Sequence, residues 1–379
     1  MKIAYITTGT PHDKNSWSGT NYYVKKALED QGHQVYCIYK YKKNITLKDV
    51  IYKLWAKLRK KRYQADRTLQ NSKKWGIFIQ SHLTPDTDAI ISLSTIPIAF
   101  LKTNIPIFIY IDGIYEYMLK QGFNGVINNP KEAHKIEQKA LDNCSKILTS
   151  SIASSEVILK DYNVSQNKIS IIPLGANLDE IPLESKILSN IKSKSMKICK
   201  ILFVGVDWER KGTNIVIQTV KALHESNFPI ELHLVGLKKI PIHLPEYIIN
   251  HGYISKMDPL GFSKITKLYL ESHFLFVPSL GEAYGLVFSE ASAFGLPSIS
   301  HSVGGIPTII KNGENGQLFR IGTSPEEFAD YIKKIFNNEK EYKRLAIKSY
   351  SRFKDELNWT VNGQRISNIL NEYIKTINL

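Results

Sequence analysis

Residues 281–291 read Gly-Glu-Ala-Tyr-Gly-Leu-Val-Phe-Ser-Glu-Ala and follow a short apolar run, Phe274 to Pro278. This order predicts a strand, then a glycine-bearing loop, then a helix. The start of such a helix presents backbone N–H groups and the positive end of its dipole, which together attract an anion. Glu282 is predicted to lie on the loop and Glu290 on the first helical turns.

Two carboxylates beside an anion site suit a ligand that carries both hydroxyl and phosphate groups. Ionised carboxylates accept strong hydrogen bonds from sugar and ribose hydroxyls. A nucleotide sugar has this chemistry. The alternative is that Glu282 and Glu290 are two solvated glutamates beside an ordinary buried helix, and the spacing alone does not exclude it.

Short apolar runs alternate with stretches of helical period along the chain, which is typical of parallel sheets with crossover helices. The first half contains predicted strands at Ile3–Thr7, Val35–Tyr39, Ala89–Leu93, Ile105–Ile111, Ile147–Ser150 and Ile169–Ile172. The second half contains predicted strands at Ile201–Val204, Ile230–Val235, Phe274–Val277 and Pro297–Ser300.

This alternation of predicted strands and helices is interrupted once, by a polar interval rich in lysine and serine that runs from Asn177 to Lys200. A length of 379 residues also exceeds what one typical core holds. We therefore predict two doubly wound, Rossmann-like α/β domains, residues 1–176 and 177–360, joined near residues 176–198. Open sheets of this kind bind ligands beyond the carboxyl ends of their strands, so two of them facing each other would form a cleft.

No window approaches 18 uncharged apolar residues, and residues 1–8 lead into turn residues rather than a signal peptide. These features predict a cytoplasmic protein. The three cysteines, Cys37, Cys144 and Cys199, are widely separated in apolar or helical surroundings. They are predicted to be core thiols in a reducing compartment, with neither a disulfide framework nor metal spacing.

The formal net charge of +15 calls for an acidic partner. Nucleic acid, an anionic membrane and a phosphorylated small molecule all qualify. Nucleic acid has no further support, because aromatic and basic residues do not interleave and no zinc spacing is present. A dehydrogenase is also disfavoured, since no G-x-G-x-x-G follows the first strand.

Residues 48–62 concentrate the positive charge, with seven Lys or Arg against a single Asp. As a helix, the segment has one apolar stripe, which consists of Ile51, Leu54, Trp55 and Leu58. This pattern is typical of a helix that lies on an anionic lipid surface. The predicted lipid contacts are Lys53, Trp55, Lys57, Arg59 and Lys60. An amphipathic helix that covers a sheet and keeps its charges in water has the same pattern.

Glycines and cations stand at other predicted junctions between strand and helix. Gly19 precedes a helix at a point where a backbone amide could approach a bulky anion, although such turns are also common by chance. Arg210 and Lys211 follow the strand that ends at Gly205, where two cations can clamp a diphosphate and stabilise the charge that builds on it. Either cation alone would more often be a solvated loop charge.

Taken together and in order, these segments resemble the retaining glycosyltransferases of family 4, which have the GT-B fold. The segments that carry the resemblance are Ser279–Ala291, Phe203–Gly212, Gly32-His33, Ile172–Asn177, Leu234–Gly236 and Asn312–Gly316. The likeness spans nearly the whole chain and is looser in the N-terminal half. It implies an enzyme that moves a sugar from a nucleotide-sugar donor to a cell-surface polysaccharide, lipopolysaccharide or lipid-linked acceptor.

By this resemblance, Arg210 and Lys211 hold the donor phosphates, and Glu290 accepts the ribose hydroxyls. Glu282 contacts the transferred sugar and is the first candidate catalytic residue. The residues expected to frame the donor are Tyr284, Gly285 and, from the N-terminal domain, Gly19. The family transfers sugar with retention of configuration and needs neither a metal nor another cofactor. Its C-terminal helix, here 361–379, is expected to cross back to the N-terminal domain.

Two positions depart from the family pattern. Val206 stands where members commonly carry arginine. Asp112 stands at a strand end where many members carry histidine, and it is the second candidate catalytic residue. The alternative for Asp112 is a turn cap, since Asp-Gly is a common turn former. The two departures keep open a catalytically inactive subunit that binds a nucleotide sugar within a glycosylation complex.

Overall fold

The computed structural model describes residues 1–39, 41, 47–59, 61, 63–123, 129–238, 240 and 243–377. The chain divides into two compact units, Met1–Leu174 with Trp359–Leu379 (unit 1) and Gly175–Asn358 (unit 2). The domain boundaries expected from the sequence lie two residues further along the chain at each crossing. The last helix of the chain belongs to unit 1.

Unit 1 is built on a parallel six-stranded sheet with the order β2-β1-β3-β4-β5-β6. Its strands are β1 (Lys2–Ile6), β2 (Gln34–Ile38), β3 (Ala89–Ser92), β4 (Ile107–Ile111), β5 (Lys146–Thr149) and β6 (Ile169–Ile171). Its helices, numbered along the whole chain, are α1 (Thr20–Asp30), α2 (Leu47–Leu58), α3 (Leu69–Gln80), α4 (Thr95–Ile98), α5 (Tyr115–Lys120), α6 (Pro130–Asn143), α7 (Ile152–Asp161) and α15 (Trp359–Ile377).

Apolar strands form the core of unit 1. Every residue of β3 and β4 is buried, as expected for parallel strands that are covered on both faces. Helix α15 packs on α1. Near this contact the hydroxyl of Ser367 lies 2.8 Å from Nε2 of His33. The end of the chain therefore completes unit 1.

Unit 2 is built on a second parallel sheet, with the order β12-β11-β10-β7-β8-β9. Its strands are β7 (Cys199–Val204), β8 (Ile230–Val235), β9 (Ile248–Asn250), β10 (Phe274–Phe276), β11 (Ser298–His301) and β12 (Gly316–Phe319). Its helices are α8 (Glu184–Ser193), α9 (Thr213–Glu225), α10 (Pro259–Glu271), α11 (Leu286–Ala293), α12 (Ile306–Ile309), α13 (Pro325–Phe336) and α14 (Glu339–Glu356).

The two edge strands of unit 2, β9 and β12, are not among the strands predicted from the sequence. Both are short, and each buries only its first residue completely, so neither makes a continuous apolar run. The polar interval 177–200 is also more than a joining segment, because α8 lies within it and buries Ile187 and Ile191. The lysines and serines of α8 occupy its outer face and gave the segment the composition of a linker.

Helix α2 turns its large apolar side chains toward solvent. Asp49 and Ala56 are buried on the inner side, and the hydroxyl of Tyr63 donates a 2.7 Å hydrogen bond to Asp49. The predicted apolar stripe faces outward, with Leu54 60% and Leu58 84% exposed. The alternative in which this stripe covers a sheet is therefore wrong.

Basic side chains accompany the exposed stripe. The guanidinium carbon of Arg59 lies 4.0 Å from the ring centroid of Trp55, a cation–π contact. Lys53 and Lys57 are exposed. Of the predicted lipid contacts, Lys60 lies outside the described residues. No helix in the described ranges is long and apolar enough to cross a membrane.

Candidate functional site

The strand order of unit 2 reverses between β10 and β7, which are neighbours in the sheet. Segments that follow these two parallel strands leave from the same edge, and ligands of open α/β sheets bind at such a reversal. One segment, 205–212, leads from β7 to α9. The other, 277–285, leads from β10 to α11. The predicted site residues of unit 2 lie on these segments and on α11.

Both predicted phosphate-binding cations meet the first predicted carboxylate. The ammonium of Lys211 donates a hydrogen bond to Oε2 of Glu282. The guanidinium of Arg210 lies 3.5 Å from the same oxygen and donates a 3.1 Å hydrogen bond to the Gly281 carbonyl. The side chains of Lys211 and Glu282 are only 11% and 10% exposed. Neither cation is thus a solvated loop charge.

Backbone geometry fixes the position of these cations. Gly212 has φ +71°, and a Cβ at this residue would lie 2.2 Å from the carbonyl oxygen of Pro278. The N–H of Leu280 donates a 2.8 Å hydrogen bond to the carbonyl of Arg210. Because the two segments touch through their backbones, glycine is required at 212 and the two cations are held close to the Glu282 loop.

Helix α11 begins directly after this loop. Its N-cap is Gly285, with φ +102°, and no side chain caps the first turn or places an acidic group there. The N–H of Phe288 donates a 2.9 Å hydrogen bond to the carbonyl of Gly285. The positive end of the helix dipole lies at this turn, where the sequence predicts an anion site. The side chain of Tyr284 is buried, and its hydroxyl lies 3.4 Å from Oγ of Ser289. Tyr284 thus connects the loop to α11.

The second predicted carboxylate, Glu290, lies on the second turn of α11 and is 5% exposed. The ammonium of Lys256 donates a hydrogen bond to its Oε1. The hydroxyl of Tyr269 donates a 3.2 Å hydrogen bond to its Oε2. Burial, followed by the charge of Glu290, raises the pKa of Tyr269 well above its ordinary value, so the hydroxyl stays a donor.

Neither partner of Glu290 is among the site residues predicted from the sequence. Lys256 follows β9, an edge strand without a clear apolar run, so its place at the strand end was not visible. Tyr269 lies on α10 with ordinary helical spacing and looks like a core residue. A signal was present in the lysine itself, which occurs seven residues after the end of an apolar doublet, Ile248-Ile249, that begins β9.

In unit 1, the loop after β1 carries Gly19 and the end of β4 carries Asp112. Trp17, Ser18 and Gly19 have φ of 49°, 53° and 89°, three consecutive residues in the left-handed region. The indole N–H of Trp17 donates a 3.2 Å hydrogen bond to Oδ2 of Asp112. The structure therefore brings the Gly19 loop to the predicted catalytic aspartate.

Asn21, which the sequence analysis did not single out, holds this loop. Its side-chain oxygen accepts from the Thr7 hydroxyl at 3.0 Å, and its amide nitrogen lies 3.0 Å from Oγ of Ser16. Strained backbone of this kind persists only where the surroundings over-determine it, and it clusters at functional sites. The bonds of Asn21 supply that constraint.

Within the described ranges, no group of three or more His, Cys, Asp or Glu residues is placed to hold a metal ion. The position of the missing arginine, Val206, is 69% exposed at the end of β7. Arg210 and Lys211 follow β7, and Lys256 follows β9, so these three residues carry positive charge after strands of unit 2.

Residues 186–352 match the family described as glycosyl transferases group 1. A D-inositol 3-phosphate glycosyltransferase of Corynebacterium glutamicum is 24% identical over 275 residues, which cover 65% of this chain and 62% of that protein. Across the curated relatives with that name, the match spans 52 to 62% of their lengths.

Two solved structures cover nearly the whole chain. Sucrose-phosphate synthase from Thermosynechococcus elongatus has a TM-score of 0.69 and 17% identity, over 99% of this chain and all of that chain. Anabaena HepE in complex with UDP-glucose has a TM-score of 0.64 and 14% identity, over 98% of this chain and all of that chain. At these identities the likeness shows a shared fold.

Proposed function

We propose that the chain is a retaining glycosyltransferase with a nucleotide-sugar donor. The premise is its GT-B fold, together with the match of residues 186–352 to the glycosyl transferases of group 1. The observation that carries the proposal is the cluster of Arg210, Lys211 and Glu282 directly before the first turn of α11. Two cations beside the positive end of a helix suit a diphosphate.

Donor binding exchanges partners in this cluster. A diphosphate carries more negative charge than one carboxylate, so it replaces Glu282 as the partner of Arg210 and Lys211. The carboxylate of Glu282 then accepts hydrogen bonds from hydroxyls of the transferred sugar. Glu290 accepts the ribose hydroxyls. In HepE, a protein of the same fold, UDP-glucose has been captured, which is consistent with this class of donor.

The same groups serve the chemical step. As the bond between sugar and phosphate breaks, negative charge grows on the leaving diphosphate, and Arg210, Lys211 and the α11 dipole stabilise it in place. They supply the positive charge that a metal ion would otherwise supply, so we propose transfer without a metal. Positive charge grows on the sugar ring, and the carboxylate of Asp112 would offset it, a contribution to the transition state rather than to binding.

The proposed acceptor is a cell-surface polysaccharide, a lipopolysaccharide or a lipid-linked glycan. Helix α2 supports an acceptor at a membrane, because its apolar stripe and its lysines stand exposed together. Apolar side chains that enter the interface and cations that meet anionic headgroups are the two requirements of a surface-bound helix. We propose peripheral attachment to the inner face of the cell membrane through this helix.

A thermal-shift screen with UDP, GDP, ADP and CMP sugars tests the donor proposal. A ligand present at a hundred times its dissociation constant stabilises the folded protein by about 2.7 kcal/mol, so one nucleotide family should raise the melting temperature clearly. Failure of all four families to stabilise the protein would overturn the proposal. Anomer-resolved NMR of the product would test retention.

The alternative function, an inactive subunit that binds a nucleotide sugar, is favoured by one observation, the exposed Val206 in place of arginine. The two functions differ in a single measurement. An enzyme of this class transfers the sugar of the stabilising donor slowly to water and faster to an acceptor, and it releases the nucleotide. The inactive subunit binds the donor and leaves it intact.

A further inference from the structure

The carboxylate of Glu290 is held from two sides before any ligand arrives. Lys256 donates to Oε1 and also lies 3.3 Å from the carbonyl oxygen of Asn177, while Tyr269 donates to Oε2. Tyr269 is fully buried and stacks on Phe294 with ring centroids 4.9 Å apart. The two donors come from different segments, so they fix both the position and the plane of the carboxylate.

The remaining hydrogen-bonding capacity of Glu290 matches a vicinal diol. An ionised carboxylate has about four acceptor positions, two on each oxygen. Lys256 occupies one on Oε1 and Tyr269 occupies one on Oε2. One position therefore remains on each oxygen, and two neighbouring hydroxyls can use them together. The 2′ and 3′ hydroxyls of a ribose have this arrangement, whereas 2′-deoxyribose can fill only one position.

We propose that Lys256 is a specificity-determining positioning residue, which holds the Glu290 carboxylate so that it selects ribonucleotides over 2′-deoxyribonucleotides. This inference rests on the proposed function, since it assumes a nucleotide at this edge of unit 2. Lys256 acts through Glu290 and not through the diphosphate. Its removal should therefore weaken the binding of ribonucleotides and hardly change that of deoxyribonucleotides.

The test is calorimetric titration of the full chain with matched pairs, UDP and dUDP, GDP and dGDP, ADP and dADP, CMP and dCMP. Loss of one charge-assisted hydrogen bond weakens binding by about 10- to 150-fold, so the wild type should prefer the ribose form of its nucleotide by at least tenfold. Lys256→Met should reduce this preference to about threefold or less. Tyr269→Phe, which keeps the buried ring, should reduce it as well.

Lys267→Met is the matched control. Lys267 lies on α10 as Tyr269 does, its side chain is 73% exposed, and its ion-pair partner is Glu271 rather than Glu290. The Lys267→Met substitution removes the same charge as Lys256→Met and should leave the ribose preference within about twofold of the wild type.

Three results would count against the inference. An unchanged preference in Lys256→Met, with both affinities lowered equally, would mean that Lys256 attracts phosphate by charge alone and would overturn the inference while leaving the proposed function intact. A wild type that binds both forms equally would overturn the ribose role of Glu290 as well. A wild type that binds none of the eight nucleotides would overturn the proposed function itself.

Discussion

Unit 1 and unit 2 share an architecture, a parallel six-stranded sheet with candidate site residues at its strand ends. They differ in the partners of their candidate carboxylates. In unit 2 the candidate carboxylates are buried and each is paired with a lysine, Glu282 with Lys211 and Glu290 with Lys256. In unit 1 the candidate carboxylate, Asp112, accepts from a neutral indole, and the basic helix α2 is exposed.

This difference matches the different roles that we propose for the two units. A buried cation that is paired with a carboxylate can exchange that carboxylate for an anionic group of a ligand. The cation is already held in place when the ligand binds. The donor that Trp17 presents to Asp112 is neutral, and the carboxylate is proposed to offset positive charge. An exposed basic helix suits a large anionic surface.

The largest expected effect concerns the paired cations of unit 2. Lys211→Ala should weaken binding of the matching nucleoside diphosphate by about 1.5–3 kcal/mol, the worth of a charge-assisted contact, without unfolding the protein. Titration calorimetry measures the affinity and circular dichroism the fold. Lys340→Ala, on the exposed start of α14, is the control. Equal nucleotide affinity in Lys211→Ala and wild type would show that Lys211 does not belong to the donor site. The same titration with Glu290→Ala tests the ribose contact.

Acid should destabilise unit 2 before unit 1. Four described histidines of unit 2 have a lowered pKa, chiefly through burial, namely His233, His251, His273 and His301. In unit 1 the described residues include one, His33. The pKa of His273 is lowered to about 3 because the ring is buried, with Nδ1 accepting from the Lys200 N–H at 3.0 Å.

The sign follows from proton binding. Below about pH 6.5 the His273 ring binds a proton in the unfolded state but not in the folded state. The free energy of unfolding therefore receives the full contribution of neutral His273 above about pH 6.5. This contribution falls as the pH drops, by about 2 kcal/mol at pH 5. Hydrogen exchange between pH 7.5 and 5, resolved by unit, should show unit 2 opening first. His273→Gln should flatten its pH dependence, and opening of unit 1 first would contradict the comparison.

A smaller effect is expected at Asp112. Asp112→Asn keeps the shape and most hydrogen bonding but removes the charge, so turnover should fall by roughly tenfold or more, about 1.4 kcal/mol, with little change in nucleotide affinity. Trp17→Phe removes only the indole donor and should change turnover less. Turnover within about twofold of wild type in Asp112→Asn would reassign this residue to the turn before Gly113.

The smallest effect per residue concerns α2. Each basic residue near an anionic surface contributes about 1 kcal/mol, so the protein should sediment with anionic vesicles, remain free with neutral ones, and be released as salt rises. Lys53→Gln and Lys57→Gln should each weaken capture, and Leu54→Ser should weaken it by removing apolar burial. Sedimentation that is equal with and without anionic lipid would refute the attachment proposal.

Much of the fold could be read from local patterns. The central strands are continuous apolar runs because both of their faces are buried, and the prediction located each of them within one or two residues. Edge strands β9 and β12 and helix α8 were not recognised, because each has a solvated side that dilutes the pattern. The orientation of α2 was also undecided, since an apolar stripe alone does not tell whether it is buried or exposed.

The sequence by itself determined the residue types and the order of the segments: glycines before helices, cations after β7, and two glutamates around the start of α11. Tertiary structure alone decided the partners. Lys211 meets Glu282 across 71 positions and Lys256 meets Glu290 across 34, because parallel strands bring the ends of distant segments to one edge of a sheet. Side-chain pairing at that edge depends on strand order, and strand order is set by the packing of the whole unit rather than by any local stretch of the chain.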